Sequence, residues 1–287
     1  MRYFGLLIML TVCTAAQASV LPRYFIRNYE HAPADSDTII RKRSLSIGVN
    51  YGNDAIFFGR VGPIKYPYVS TDVVYNDKSG FFVYGSGLKV LGYDPVFDEV
   101  DVGGGYFYKW GKKFSGTISY TRFIFNNDAK IIKSASSNDI NFKNSYDWHL
   151  AKTSVVMDFL FGKSHDFFVT LSHSKMIEPN WSIFTDDDYL TINPSVNAIF
   201  GTQNFVNTYT ADRNIRDKGS YIYSARMDRN NRRFTALNYY LKVPVAYNMP
   251  HFTLEASYRY SIPVNVENIL QNRHASFFNF TFYYLFY

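Results

Sequence analysis

An all-β fold, a closed antiparallel transmembrane β-barrel of about 12 strands, is what this sequence predicts, and three observations predict it. From Ser44 onward apolar residues recur at every second position, the period of a strand whose two faces meet different surroundings. The alternating runs are about 9 to 14 residues long, longer than the strands of most soluble sheets and long enough for a tilted strand to cross a bilayer. Their ends are crowded with Tyr, Trp and Phe, which make up 19% of the 287 residues.

The first segment, MRYFGLLIMLTVCTAAQA, sets Arg2 before an apolar stretch from Phe4 to Val12 and ends on Ala16-Gln17-Ala18. That is the layout of a secretory signal peptide over 1–18, cleaved before Ser19. The stretch is too short for a helical anchor, which needs about 18 apolar residues. The single cysteine, Cys13, leaves with it. Val12 before it does not suit lipid attachment, so disulfides, a thiolate nucleophile and a cysteine-held metal are excluded from the mature chain. The formal charge of +6 suits anionic lipid or nucleic acid, and export argues against nucleic acid. Residues 19–43, SVLPRYFIRNYEHAPADSDTIIRKR, show no alternation and are either a loose periplasmic extension or a plug folded into the lumen. The barrel takes 44–287.

Strands are predicted over 44–61 (interrupted at Gly52-Asn53-Asp54), 68–76, 81–91, 98–110, 113–125, 138–148, 153–161, 166–175, 189–200, 234–247, 251–262 and 276–287. An even count returns the last strand to the side on which the first began. The first stretch is the weakest, since it also reads as two short strands around Gly52-Asn53-Asp54, which would demand a further strand in 202–233. Within KFSGTISYT, Phe114, Ile118 and Tyr120 oppose Ser115, Thr117 and Ser119. DINFKNSYDW sets Ile140, Phe142, Tyr146 and Trp148 against Asn141, Lys143, Ser145 and Asp147, and FTLEASYRY sets Phe252, Leu254, Ala256, Tyr258 and Tyr260 against Thr253, Glu255, Ser257 and Arg259. Short connections at 77–80, 111–112 and 248–250 fall on one side and longer ones at 126–137, 202–233 and 263–275 on the other. The long 176–188 connection breaks that asymmetry.

A charge facing hydrocarbon costs about 2–4 kcal/mol at mid-membrane, so strand charges should point inward. The lumen lining predicted on this parity is Asp72, Asn141, Lys143, Asp147, Asp158, Asn193, Asn197, Asn238, Lys242, Glu255 and Arg259. His173 is the exception, sharing parity with Phe167, Val169 and Leu171. The basic group Arg213, Arg216, Lys218, Arg226, Arg229, Arg232 and Arg233 falls in an extracellular connection. It is a solvated loop or, through Arg226, Arg229, Arg232 and Arg233, a clamp on lipid phosphates such as those of lipopolysaccharide.

Other candidates carry bland readings. Asp186-Asp187-Asp188 has carboxylates for Ca²⁺ but no calcium-loop spacing, and reads as a solvated turn. Ser164, His165, His173 and Ser174 supply residue types for a hydrolase triad without an accompanying motif. Gly103-Gly104-Gly105 lies inside a strand with no helix after it, so it serves bending or close packing rather than phosphate binding. No cofactor is expected, and no catalytic residue.

The signal peptide, FFGRVGPIKYPYVSTDVVYNDKSGFFVYGSG, INPSVNAIFGTQNF and the terminal FNFTFYYLFY together resemble a bacterial outer-membrane β-barrel of the Bacteroidota, porin-like type, over 44–287. The resemblance implies an outer-membrane location and recognition of the last strand by the barrel assembly machinery, with Tyr287, Leu285 and Tyr283 as the signal, facing lipid. Thr281 and Asn279 share their parity, however, and the opposite set, Phe278, Phe280, Phe282, Tyr284 and Phe286, is more apolar. The last strand is therefore apolar on both faces, its inner face covered, or a bulge shifts its register near Tyr283. The function expected is a passive channel or uptake pore for small solutes, narrow or gated. A lipid hydrolase or an adhesive barrel acting through its loops is the alternative.

Overall fold

The computed structural model describes residues 43–62, 64–93, 96–126, 136–179, 182–185, 187–205, 233–266, 270 and 272–286. The signal peptide and all of 19–43 except Arg43 lie outside the described residues.

Thirteen strands form one antiparallel sheet: β1 (Ser44–Gly52), β2 (Tyr68–Asn76), β3 (Phe81–Val90), β4 (Glu99–Trp110), β5 (Phe114–Phe125), β6 (Ser136–Asp147), β7 (Lys152–Gly162), β8 (His165–Ser174), β9 (Tyr189–Ile192), β10 (Ser195–Gly201), β11 (Thr235–Asn248), β12 (Phe252–Pro263) and β13 (Ala275–Phe286). Each pairs with its sequence neighbour, and β1 also pairs with β13 from Leu45↔Phe286 to Gly52↔Asn279. The sheet therefore closes on itself and leaves no free edge.

β9 and β10 are two halves of one stave, so the ring has 12. The break falls at Asn193-Pro194, opposite Val243-Pro244 on β11, whose ladder resumes as Val245↔Ile192 beyond it. Proline has no N–H to give a ladder, and Pro194 and Pro244 bring two such positions together. The Asn193 N–H still donates to the Pro244 carbonyl at 3.1 Å. Beyond the break β8 no longer reaches β9, and Ile177 takes over by exchanging two backbone hydrogen bonds with Ile192. This pairing explains why the 176–188 connection is long: part of it extends the wall.

Alternation sorts the side chains as expected of a strand with two environments. Leu45, Val73, Val102, Ile118, Phe142, Met157, Leu241, Leu254 and Phe280 are exposed outside, while Ser46, Asp72, Asp101, Ser119, Asn141, Asp158, Asn238 and Ser257 are buried inside. Glycines sit inward opposite rings: Gly48 faces Tyr283, Gly52 Tyr68, Gly103 Tyr84, Gly105 Phe82 and Gly201 Phe168. A Cβ on any of them would collide with its partner's ring. The Gly103-Gly104-Gly105 run thus makes room for Phe82 and Tyr84 to lie against β4 within the lumen.

Two expectations are corrected. β1 ends at Gly52 and does not run to residue 61. Tyr283 and Leu285 take the inward register of β13, Tyr283 only 8% exposed over Gly48, while Phe278, Phe280, Phe282, Tyr284 and Phe286 face outward and exposed. No bulge interrupts β13 against β1 or β12. The ring of Tyr283 fills space that Gly48 leaves empty, so the more apolar parity is free to face outward. Tyr287 lies outside the described residues.

Candidate functional site

Residues 53–67, read above as the end of a strand, instead turn into the barrel from the end that carries the long connections. Asp54 accepts a hydrogen bond from the Tyr66 N–H at 2.9 Å, which draws the two ends of the segment together. Tyr66 packs on Val90 at the near wall, with Ala55 and Leu88 beside them. The tip is a four-residue turn in which Phe57 and Arg60 exchange backbone hydrogen bonds of 2.9 and 2.8 Å. Phe58 (φ 43°) and Gly59 (φ 79°) both adopt the left-handed conformation, the demand of a type I′ turn that glycine meets at least cost.

The tip reaches across the mouth to the other side of the ring. Phe58 stacks on Phe168 of β8 with ring centroids 3.7 Å apart, and Phe57 meets Phe205 edge-on at 4.9 Å. Leu160, Ile199, Leu237, Tyr240 and Leu270 complete the buried cluster. Arg60, 1% exposed, carries the polar half of this contact. Its Nε and Nη2 donate to Gln203 Oε1 at 3.0 and 2.8 Å, its Nη1 to the Leu237 carbonyl at 2.5 Å, and its Nη2 also to the Val264 and Asn265 carbonyls at 2.8 and 3.0 Å. One guanidinium thereby ties together segments following β10, opening β11 and following β12. The fork geometry of arginine suits this role better than a point charge would.

Below the tip the lumen is polar. Asp72, Asn141, Asp158, Asn197 and Asn238 are buried at inward positions, and Lys143, Lys242, Glu255 and Arg259 are half-buried there. Asn141 donates to Asp158 at 2.6 Å, Ser261 to Asn238 at 2.8 Å, and Ser86 to Asp101 at 3.1 Å. The Arg259 guanidinium lies 3.6 Å over the Tyr240 ring and faces Lys242 across the β11–β12 ladder. Acidic side chains dominate the inner wall from β2 to β8, and Lys242 with Arg259 makes a basic strip on the far side. Asn193 sits at the stave break, half-buried. Asp147 ends β6 exposed, accepting the His149 N–H at 2.7 Å.

Several residues stand apart from this lining. Ser164 and His165 lie at one end of β8 and His173 and Ser174 at the other, about 30 Å away for a strand of this length, so the structure does not bring these four together. His173, on the outward parity, sits 3.1 Å from Thr153 Oγ1 near the short-turn end. Arg122 is a second outward charge, near the long-connection end of β5, donating to Ser137 and Asn138 at 3.0 and 2.9 Å. The Asp188 carboxylate is occupied by the N–H groups of Ile183, Phe184 and Thr185 and by the Tyr247 hydroxyl. Burial alone would raise this carboxyl, but those donors outweigh it and hold it below the usual carboxylate range. Arg233 is exposed, and Arg226, Arg229 and Arg232 lie outside the described residues.

The fold and its lining define a class: a closed 12-stave antiparallel barrel with an apolar exterior, a polar interior and an inward constriction at one mouth. A scan against protein-family models and a search of curated proteins find no match. Among solved structures, similarity is found to a KdgM porin, at 10% identity over 84% of this chain and 99% of that one with a TM-score of 0.47. A NanC porin follows at 11% identity, 83% and 98% coverage and 0.46, and LpxR from Salmonella typhimurium at 8%, 84% and 99% and 0.43. The barrel stands on its own strand pairing and needs none of these likenesses.

Proposed function

We propose that the protein is a bacterial outer-membrane barrel that passes small solutes through a lumen narrowed by residues 53–67. The observation that carries this is the pairing of an apolar exterior with a polar, charged interior inside a ring that leaves no backbone group unpaired, the arrangement by which strands cross hydrocarbon. Two bands of outward aromatics flank the apolar zone. Tyr146 with Trp148, Phe81 with Tyr106, and Tyr284 with Phe286 lie at the short-turn end, and Phe159 with Phe161 and Phe167 with Phe234 at the other. Such girdles suit the two membrane interfaces. The Bacteroidota affinity, the assembly signal in the last strand and the binding of lipid phosphates by the 202–233 connection remain parts of this proposal that rest on resemblance and charge.

A ring of 12 staves is narrower than the open porins of 16 to 18, and the Arg60-pinned tip occupies its mouth. Small, low-conductance openings are therefore expected. Recording from the refolded mature protein in planar bilayers tests this: stepwise current supports a channel, and absence of both current and solute flux from loaded vesicles defeats it.

A further inference from the structure

The inner wall of β6, β7 and β8 holds a group of oxygen atoms that the hydrogen-bond network leaves unused. Asp158 is fully buried and Asp139 is 4% exposed. Asp158 Oδ1 takes the Asn141 amide, but Asp158 Oδ2, Asp139 Oδ1 and the hydroxyl of fully buried Thr170 have no hydrogen-bond partner. Strand register brings the three side chains to one patch. Asn141 faces Asp158 and Asp139 faces Leu160, so Asp139 lies diagonal to Asp158 on one flank. Asp158 faces Phe168 and Val156 faces Thr170, so Thr170 lies diagonal on the other. Diagonal neighbours on one face of a sheet are about 7 Å apart, within reach of side chains.

Two buried carboxylates without a basic partner do not stay bare, because removing a charge from water is too costly. A shared proton would need a short hydrogen bond between them, and neither free oxygen makes one. Lys143 faces Val156 on the same wall, and no ion pair joins it to either carboxylate among the described residues. Oxygens held near one another without touching suit a hard cation, which sits about 2.3–2.6 Å from each ligand in the case of Ca²⁺. Two carboxylates neutralise a divalent ion, which favours it over a monovalent one in a buried wall.

We propose that a divalent hard cation binds between Asp139 and Asp158, with Thr170 supplying a further oxygen. The site stands independently of whether the barrel conducts. It is tested on the full mature barrel, refolded in detergent micelles and stripped with chelator, by calorimetric titration with Ca²⁺ and by its thermal unfolding at rising Ca²⁺. Binding near one ion per barrel and a rise in unfolding temperature are expected. Both should be lost in Asp158→Asn and Asp139→Asn, weakened severalfold in Thr170→Val, and kept in Asp147→Asn. If the aspartate variants fail to fold, Thr170→Val and the unmodified barrel decide. No calcium binding by the unmodified barrel, an equal response in Thr170→Val, or stabilisation by acid alone would overturn the site.

Discussion

Arg60 shows how much one side chain can hold. Its guanidinium donates to four acceptors on three segments that are far apart in sequence, and removing it leaves buried carbonyls without donors. Arg60→Ala is expected to cost about 3 kcal/mol, the scale of orphaned buried groups, and to raise single-channel conductance by freeing the tip, checked by urea unfolding in lipid vesicles and by bilayer recording. Gly59 is as constrained: a Cβ there would strike Asn238, and its φ of 79° disfavours a side chain. Gly59→Val should destabilise in the same assay by about 1–3 kcal/mol. Neither role was visible in the sequence, where Phe57-Phe58-Gly59-Arg60 continues an apolar run. The inward places of Asp72, Asn141 and Asp158 were visible, because parity alone assigns them once a strand is granted.

At the scale of elements, the twelve stave positions were legible from alternation and turn residues, with ends displaced by only a few residues. What escaped was long-range. The 53–67 segment departs from the wall because Phe57 and Phe58 find partners on β8 and beyond β10, contacts that no local pattern announces. The only local sign was the lapse of alternation at Asn53-Asp54. Phe58→Ala should cost about 3–5 kcal/mol through the lost stack on Phe168, and should widen conductance as Arg60→Ala does. The parity of β13 was misassigned for a similar reason: Gly48, on another strand, accommodates the Tyr283 ring. The 182–188 turn is clamped by Asp188, whose carboxyl is held below its ordinary value by the N–H donors it accepts. A lowered carboxyl contributes stability that is present above the ordinary range, near pH 4, and is lost as pH falls through it. Hydrogen-exchange protection at Ile183, Phe184 and Thr185 should therefore drop on acidification below about pH 4, and in Asp188→Asn should be low at every pH.

For the whole molecule, inside and outside are distinguished by one residue of register, so paired substitutions test the membrane reading. Phe280→Lys, on the outward belt, is expected to lower stability in lipid vesicles by about 2–4 kcal/mol. Lysine in place of the adjacent inward Thr281, half-buried beside Asn50, should cost less. Equal penalties would contradict hydrocarbon outside and polar surroundings within. The ladder from Leu45↔Phe286 to Gly52↔Asn279 joins the earliest strand to the latest, and this has a consequence for biogenesis. During synthesis the amino-terminal strand must wait for its neighbour until the carboxyl-terminal residues emerge. Until then two unsatisfied edges travel with the nascent polypeptide, open to mispairing and needing a chaperone's shelter.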